Sequence, residues 1–269
     1  MSTFRAVCQH LAANYRVMPL AEIAALLRAG EPLPPGAVGL SFDDGYASNY
    51  ELAFPILKET GLPATVFLAT GFVDRVQPLW FQDVDLAMLH GAIMPGRLSL
   101  ADALASLKTL PDEAMRALVS EMKRHVPEPF DEPQVTRPMT WPQVREMRDS
   151  GLVEFGGHTH THPVLSRCGV EHQKREIETC AERIRAELGA APRLFAFPNG
   201  GAGDYSPDTL ELLRLAGFES AWTMVSGRVS KTAGLYELPR YGSPESVWET
   251  EATVSGAFEL MRQWRGGGK

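Results

Sequence analysis

Two short segments of this 269-residue chain hold side chains able to do chemistry. Asp43-Asp44-Gly45 follows the apolar run Ala37 to Phe42. His158, His160 and His162 alternate with threonines just after Leu152 to Phe155 and two glycines. Adjacent aspartates repel one another unless a cation or an arginine neutralises them. Imidazoles four residues apart suit a single ion if the segment leaves its strand in a turn. One carboxylate and two imidazoles leave positions for water and substrate, the pattern of a catalytic metal site. Alone, Asp-Asp-Gly reads as a surface turn, and the histidines as a packed or exposed cluster. Together, each at the end of an apolar strand, they read as a divalent-metal centre. A straight strand would put all three histidines on one face, so spacing alone leaves His160 open as a ligand.

The elements that must position these groups alternate along the chain. A helix is expected over residues 19–29, with Leu20, Ile23, Ala24 and Leu27 on one face and Gly30 as its stop. Strands are expected at 37–42, 64–69, 152–155, 193–197 and 220–225, with helices at 48–60, 141–150, 171–188 and 207–216. Strand-helix alternation predicts a mainly parallel sheet. Each polar cluster falls just after a strand, where α/β sheets and barrels build their sites. Residues 77–140 break the rhythm. They are rich in prolines and helix formers, and we read them as a helical insertion within one domain.

Composition narrows the function. A net charge of −7 and a pI of about 5.6 give no basic footprint for nucleic acid. No apolar run approaches the roughly 20 residues of a membrane helix, and residues 1–18 lack a signal-peptide layout. Cys8, Cys168 and Cys180 are few and odd in number, which points to a reducing, cytoplasmic setting. The tail, residues 265–269, is expected to be flexible.

Three motifs now stand in order. Ser41-Phe42-Asp43-Asp44-Gly45 fits [TS]-F-D-D-G. His158 to His162, followed by Pro163, fits H-[ST]-x-x-H. Arg193 to Gly200 fits R-x-F-x-x-P-x-G. In this the chain resembles the polysaccharide deacetylases of carbohydrate esterase family 4, the NodB-homology class, with a weaker likeness from about Pro19 to Gly242. The resemblance implies an α/β fold, a distorted (β/α)7-type barrel, and removal of N-acetyl groups from N-acetylhexosamine units of a bacterial exopolysaccharide or its precursor. It makes Asp43 the general base and Asp44, His158 and His162 the metal ligands, with His160 at a variable position. Zinc is the expected ion, with cobalt, nickel or manganese as alternatives. Arg193 would orient the base, and the backbone N–H of Asn199 would help hold the oxyanion, although the family usually has an aromatic residue there. Pro198, Trp222, Trp80 and Arg240 are the expected substrate-binding residues. Core packing is the competing role for the tryptophans, and an ion pair for Arg240.

One departure is plain: no histidine follows His172, so the family's late general acid is absent. Asp43 after protonation, His90 or His125 from the insertion, or a second subunit of a homodimer are the sources left. Competing readings are a hydrolase of small amides or cyclic imides on the same fold and an inactive glycan-binding protein. A non-haem iron oxygenase shares the His-His-carboxylate set, but its usual β-sandwich does not suit this alternation.

Overall fold

Short β-branched and apolar segments alternate with amphipathic helices, so each strand returns parallel to its predecessor. The computed structural model describes residues 2–94, 96–127, 136–230 and 233–257. The chain opens with α1 (Ser2–Asn14), β1 (Arg16–Val17) and α2 (Leu20–Arg28), then β2 (Ala37–Val38) and β3 (Ser41–Phe42). A wide turn at Asn49–Ala53 leads into α3 (Phe54–Thr60), β4 (Ala64–Leu68) and the single turn α4 (Thr70–Val73). The insertion supplies α5 (Trp80–Leu89), α6 (Leu100–Leu107) and α7 (Asp112–Lys123). After it come α8 (Trp141–Asp149), β5 (Val153–Gly157), α9 (Val170–Leu188) and β6 (Leu194–Ala196). The described chain ends with α10 (Pro207–Leu215), β7 (Ser220–Trp222) and α11 (Val247–Val254).

Strands β3 to β7 form one parallel sheet in sequence order, and β1 pairs in parallel with β2. The strand expected at 37–42 is broken at Gly39 and Leu40. Its two halves still connect the sheets: Met18 N–H donates to Val38 O and Thr65 N–H to Leu40 O. At the far edge Leu238 makes a parallel bridge to Trp222. Seven strand positions therefore run in order, and the sheet curls. Met18, beside the first position, and Leu238, at the last, lie in one buried cluster with Phe67, Leu194, Ala196 and Trp222. The barrel fold class is the one the sequence predicts.

Alternation along the strands sorts the two faces. Ala64, Val66, Leu68, Val153 and Phe155 turn outward against residues of α1, α3, α8 and α9. Phe67 turns inward, and Gly156 makes room for it: a Cβ there would sit 2.5 Å from the Phe67 ring and 2.7 Å from Leu194 O. Glu154, also inward, accepts the Thr65 hydroxyl at 2.6 Å and the Ala21 N–H at 3.0 Å, which satisfies an orphan donor at the start of α2.

The insertion builds its own apolar cluster from Trp80, Val84, Ala87, Leu107, Met115 and Val119. It is tied to the barrel through Arg116, which donates to Thr161 O at 3.2 Å and Thr161 Oγ1 at 2.9 Å. Among the described residues no helix is long and apolar enough to cross a membrane. The tail at 265–269 lies outside the described residues.

Candidate metal centre

The carboxyl ends of β3 and β5 face each other, as parallel neighbours of β4 must place them. At the end of β3 the backbone of Asp44 is left-handed, with φ 72°, and Gly45 follows with φ 93°. A side chain at Gly45 would meet Leu68 at 2.9 Å, so this turn requires glycine. The twist separates two neighbouring aspartates that a regular strand would simply alternate. Asp44 Oδ1 lies 3.5 Å from His158 Nε2 and 3.3 Å from His162 Nε2. Asp43 turns instead to Arg240, whose guanidinium grips both of its oxygens at 2.8 and 2.9 Å.

The three atoms of Asp44, His158 and His162 fit a divalent ion. Ligand bonds of about 2.0–2.1 Å at tetrahedral angles put neighbouring donor atoms roughly 3.3–3.4 Å apart. Asp44 Oδ1 is buried without a hydrogen-bond partner, as an oxygen reserved for a cation would be. His158 Nδ1 lies 2.7 Å from Ala196 O, which fixes Nδ1 as the protonated nitrogen and leaves the Nε2 lone pair toward Asp44. Burial pushes His162 down to about 4 against the pull of Asp44, keeping its imidazole neutral. Burial acts the same way on His158, but the neighbouring Asp44 and Asp43 carboxylates outweigh it and raise its pKa. Burial likewise raises Asp43, yet Arg240 and the nearby histidines carry it below the ordinary carboxylate value.

The loop from His158 to His162 is held from behind. Thr159 and His162 both have positive φ, 65° and 58°. Glu176 of α9 accepts the N–H groups of His160 and Thr161 at 2.9 and 2.7 Å and the Thr161 hydroxyl at 2.7 Å. His160 is directed to α4, with Nδ1 2.9 Å from Thr70 Oγ1, and not to Asp44. Phe81 of α5 packs edge-on against His162, ring centroids 5.3 Å apart.

Several expected site residues stand elsewhere. Arg193 does not touch Asp43; its exposed guanidinium pairs with Glu219 at 2.6 Å, and Glu219 also holds Arg28. Position explains this, because Arg193 precedes β6 and so lies at the opposite end of the sheet from Asp43. Arg240 occupies the base-orienting place, and also donates to Ser41 Oγ and Thr223 O. Trp80 is buried in the core of the insertion, and Trp222 in the barrel core, so neither offers a ring face to a sugar. Trp141 bonds Asp74 through Nε1 at 2.7 Å. Pro198 is buried at the end of β6. The next residue, Asn199, has φ 61° and a buried, unpartnered Nδ2. His90 and His125 are exposed, at the carboxyl ends of α5 and α7. Sequence reasoning missed Glu176 and Arg116. Helix periodicity would have put Glu176 beside Ile177 and Cys180 on the packed side of α9, a buried acid in need of a partner.

A polysaccharide deacetylase family model matches residues 30–221. The chain belongs to the polysaccharide deacetylase family. It is 26% identical to the poly-beta-1,6-N-acetyl-D-glucosamine N-deacetylase of Escherichia coli strain K12 over 84% of this chain and 30% of that protein. With the putative polysaccharide deacetylase YxkH of Bacillus subtilis strain 168 it shares 20% identity over 84% of this chain and 58% of that one. This deacetylase-family chain thus spans less than two thirds of either relative. The Streptococcus pyogenes deacetylase PplD superposes with TM-score 0.67 at 20% identity, covering 94% of this chain and 86% of that one. IcaB from Ammonifex degensii superposes with TM-score 0.63 at 22% identity, covering 93% and 87%. Both share the fold.

Proposed function

We propose that the protein is a metal-dependent N-deacetylase acting on N-acetylglucosamine units of an exopolysaccharide or its precursor. The observation that carries this reading is the division of labour between Asp44, turned to two imidazoles, and Asp43, turned to an arginine. A divalent ion, zinc first among the candidates, would be held by Asp44, His158 and His162 and would acidify water and polarise the acetyl carbonyl. Each Asp43 oxygen keeps a lone pair not engaged by Arg240, so the carboxylate takes a proton as water attacks the acetyl carbon. Asn199, in the loop after β6, offers its backbone N–H to the oxyanion; Ala196 of that strand already fixes the His158 ring. When the C–N bond breaks, protonated Asp43 returns its proton to the leaving amine, which removes the need for a late histidine. Acetate and the free amine leave.

A cleft of about 370 Å³ runs beside this centre, between the Asp-Asp-Gly loop and the insertion. Tyr46, Phe81, Ser48, Gln82 and Asp85 line it. Tyr46 and Phe81 offer ring faces beside polar groups and the apolar Leu100 and Leu104, a lining that suits a pyranose. The names of the relatives point to β-1,6-linked N-acetylglucosamine. The three cysteines, buried and unpaired, support action in a reducing cytoplasm. The reading is tested by acetate release from a panel of β-1,6- and β-1,4-linked N-acetylglucosamine oligomers and simple N-acetyl amides. Release from the β-1,6 oligomers above the others is expected. Turnover of the small amides alone would favour the amidase reading.

A further inference from the structure

Outside the centre described above, Asp112, Cys168 and His172 bring a carboxylate oxygen, a thiol sulfur and an imidazole nitrogen within 4.8 Å of one another. We propose that these three residues form a second, thiolate-containing site for a zinc-like divalent ion, which pins the helical insertion to the barrel beside the loop of motif two.

The three residues come from separate elements. Asp112 opens α7 in the insertion, Cys168 follows the short turn Leu165–Arg167, and His172 stands in the first turn of α9. Asp112 is 4% exposed and Cys168 9% exposed. Asp112 gives Oδ2 to Arg116 at 2.7 Å, but its Oδ1 is buried with no hydrogen-bond partner. A buried carboxylate oxygen left unpaired is destabilising unless a further partner satisfies it. A cation does so. The donor set of one thiolate, one imidazole and one carboxylate is one that zinc accepts, and donor atoms at a zinc ion lie roughly 3.3–3.7 Å apart, so the three need close by only about 1 Å.

Charge balances as well. Binding breaks the Cys168 S–H bond, releases the proton to solvent and forms a sulfur-metal bond; thiolate and carboxylate together then neutralise the dication. The amino-terminal ends of α7 and α9 favour both anions. The position also gives the ion a task. Arg116, paired with Asp112, reaches Thr161, while Glu176, 3.7 Å from His172, holds the same loop through its backbone N–H groups. An ion here would join α7 and α9 on either side of the segment that carries His158 and His162.

Cobalt(II) tests this without reference to activity, because the Asp44, His158 and His162 centre contains no sulfur. Wild-type protein loaded with cobalt should bind two ions per chain and show a thiolate-to-cobalt charge-transfer band. Cys168→Ser should bind one ion and lose the band, and Asp112→Asn should weaken the second ion at least 10-fold. Asp44→Ala should keep the band, and failure of the deacetylase reading would leave it untouched. A saturated wild type with one cobalt per chain and no charge-transfer band overturns the proposal, as does a band that survives Cys168→Ser. If Cys168→Ser does not fold, the wild-type spectrum and stoichiometry decide alone.

Discussion

Asp43 and Asp44 share a peptide bond, yet they face different partners because one left-handed residue turns the chain between them. In isolation they would be interchangeable carboxylates. Arg240 removes the ambiguity: with both oxygens gripped, Asp43 stays ionised and oriented. Burial raises its pKa and Arg240 leads the groups that bring it back below the usual value. Replacing Arg240 by Gln therefore raises the pKa of the base. A base must be deprotonated to act, so the acidic limb of the pH dependence of kcat/KM should move to higher pH, with turnover down about 10²-fold or more. Arg193→Ala should leave both nearly unchanged, since Arg193 sits in an exposed pair with Glu219. The opposite ranking of the two arginines would return the orienting role to Arg193. The motif pattern made Asp43, Asp44, His158 and His162 legible in the sequence. It gave the orienting role to Arg193, because Arg240 reaches Asp43 only through chain closure across nearly 200 positions.

Motif two is a loop held in an unfavourable shape by the helix behind it. Thr159 and His162 lie at positive φ, where β-branched and bulky residues are strained. Glu176 offsets that strain by accepting two backbone N–H groups and the Thr161 hydroxyl. Its pKa is lowered; burial opposes this, but His172 and the Thr161 donors outweigh burial. Glu176→Ala leaves those donors unpaired and frees the loop. Metal affinity should fall about 10–100-fold, the usual cost of losing a partner that orients ligands. Competition with a chromogenic chelator measures it, and unchanged affinity would show that the loop holds its shape unaided. At this scale the sequence was readable wherever periodicity was strong. Residues 64–68, 170–188 and 207–215 form the expected elements within a residue or two. The strand at 37–42 was not: it is interrupted at Gly39 and Leu40, where Gly39 packs against the Leu20 side chain. Nor were β1 and the bridge at Leu238, which are too short to carry a pattern.

Across the whole molecule, the curled sheet collects its chemistry on one rim. Asp43 and Asp44 follow β3, His158 and His162 follow β5, Asn199 follows β6, and Arg240 follows the last strand position. Parallel order alone predicts that rim. What it leaves unsaid is which inward side chains fill the barrel, and so Trp222, legible as a site residue, is core instead. The insertion adds Phe81 against His162 and one wall of the cleft. The proposed deacetylation needs an ion at the Asp44, His158 and His162 centre and a base at Asp43. Acetate release from β-1,6-linked N-acetylglucosamine oligomers, by chelator-stripped wild type and Asp43→Asn before and after zinc is restored, tests it most directly. The expected result is release by wild type only with zinc present and at least about 10²-fold less by Asp43→Asn under the same conditions. Release by the stripped protein, or equal release by the Asp43 variant, would contradict it.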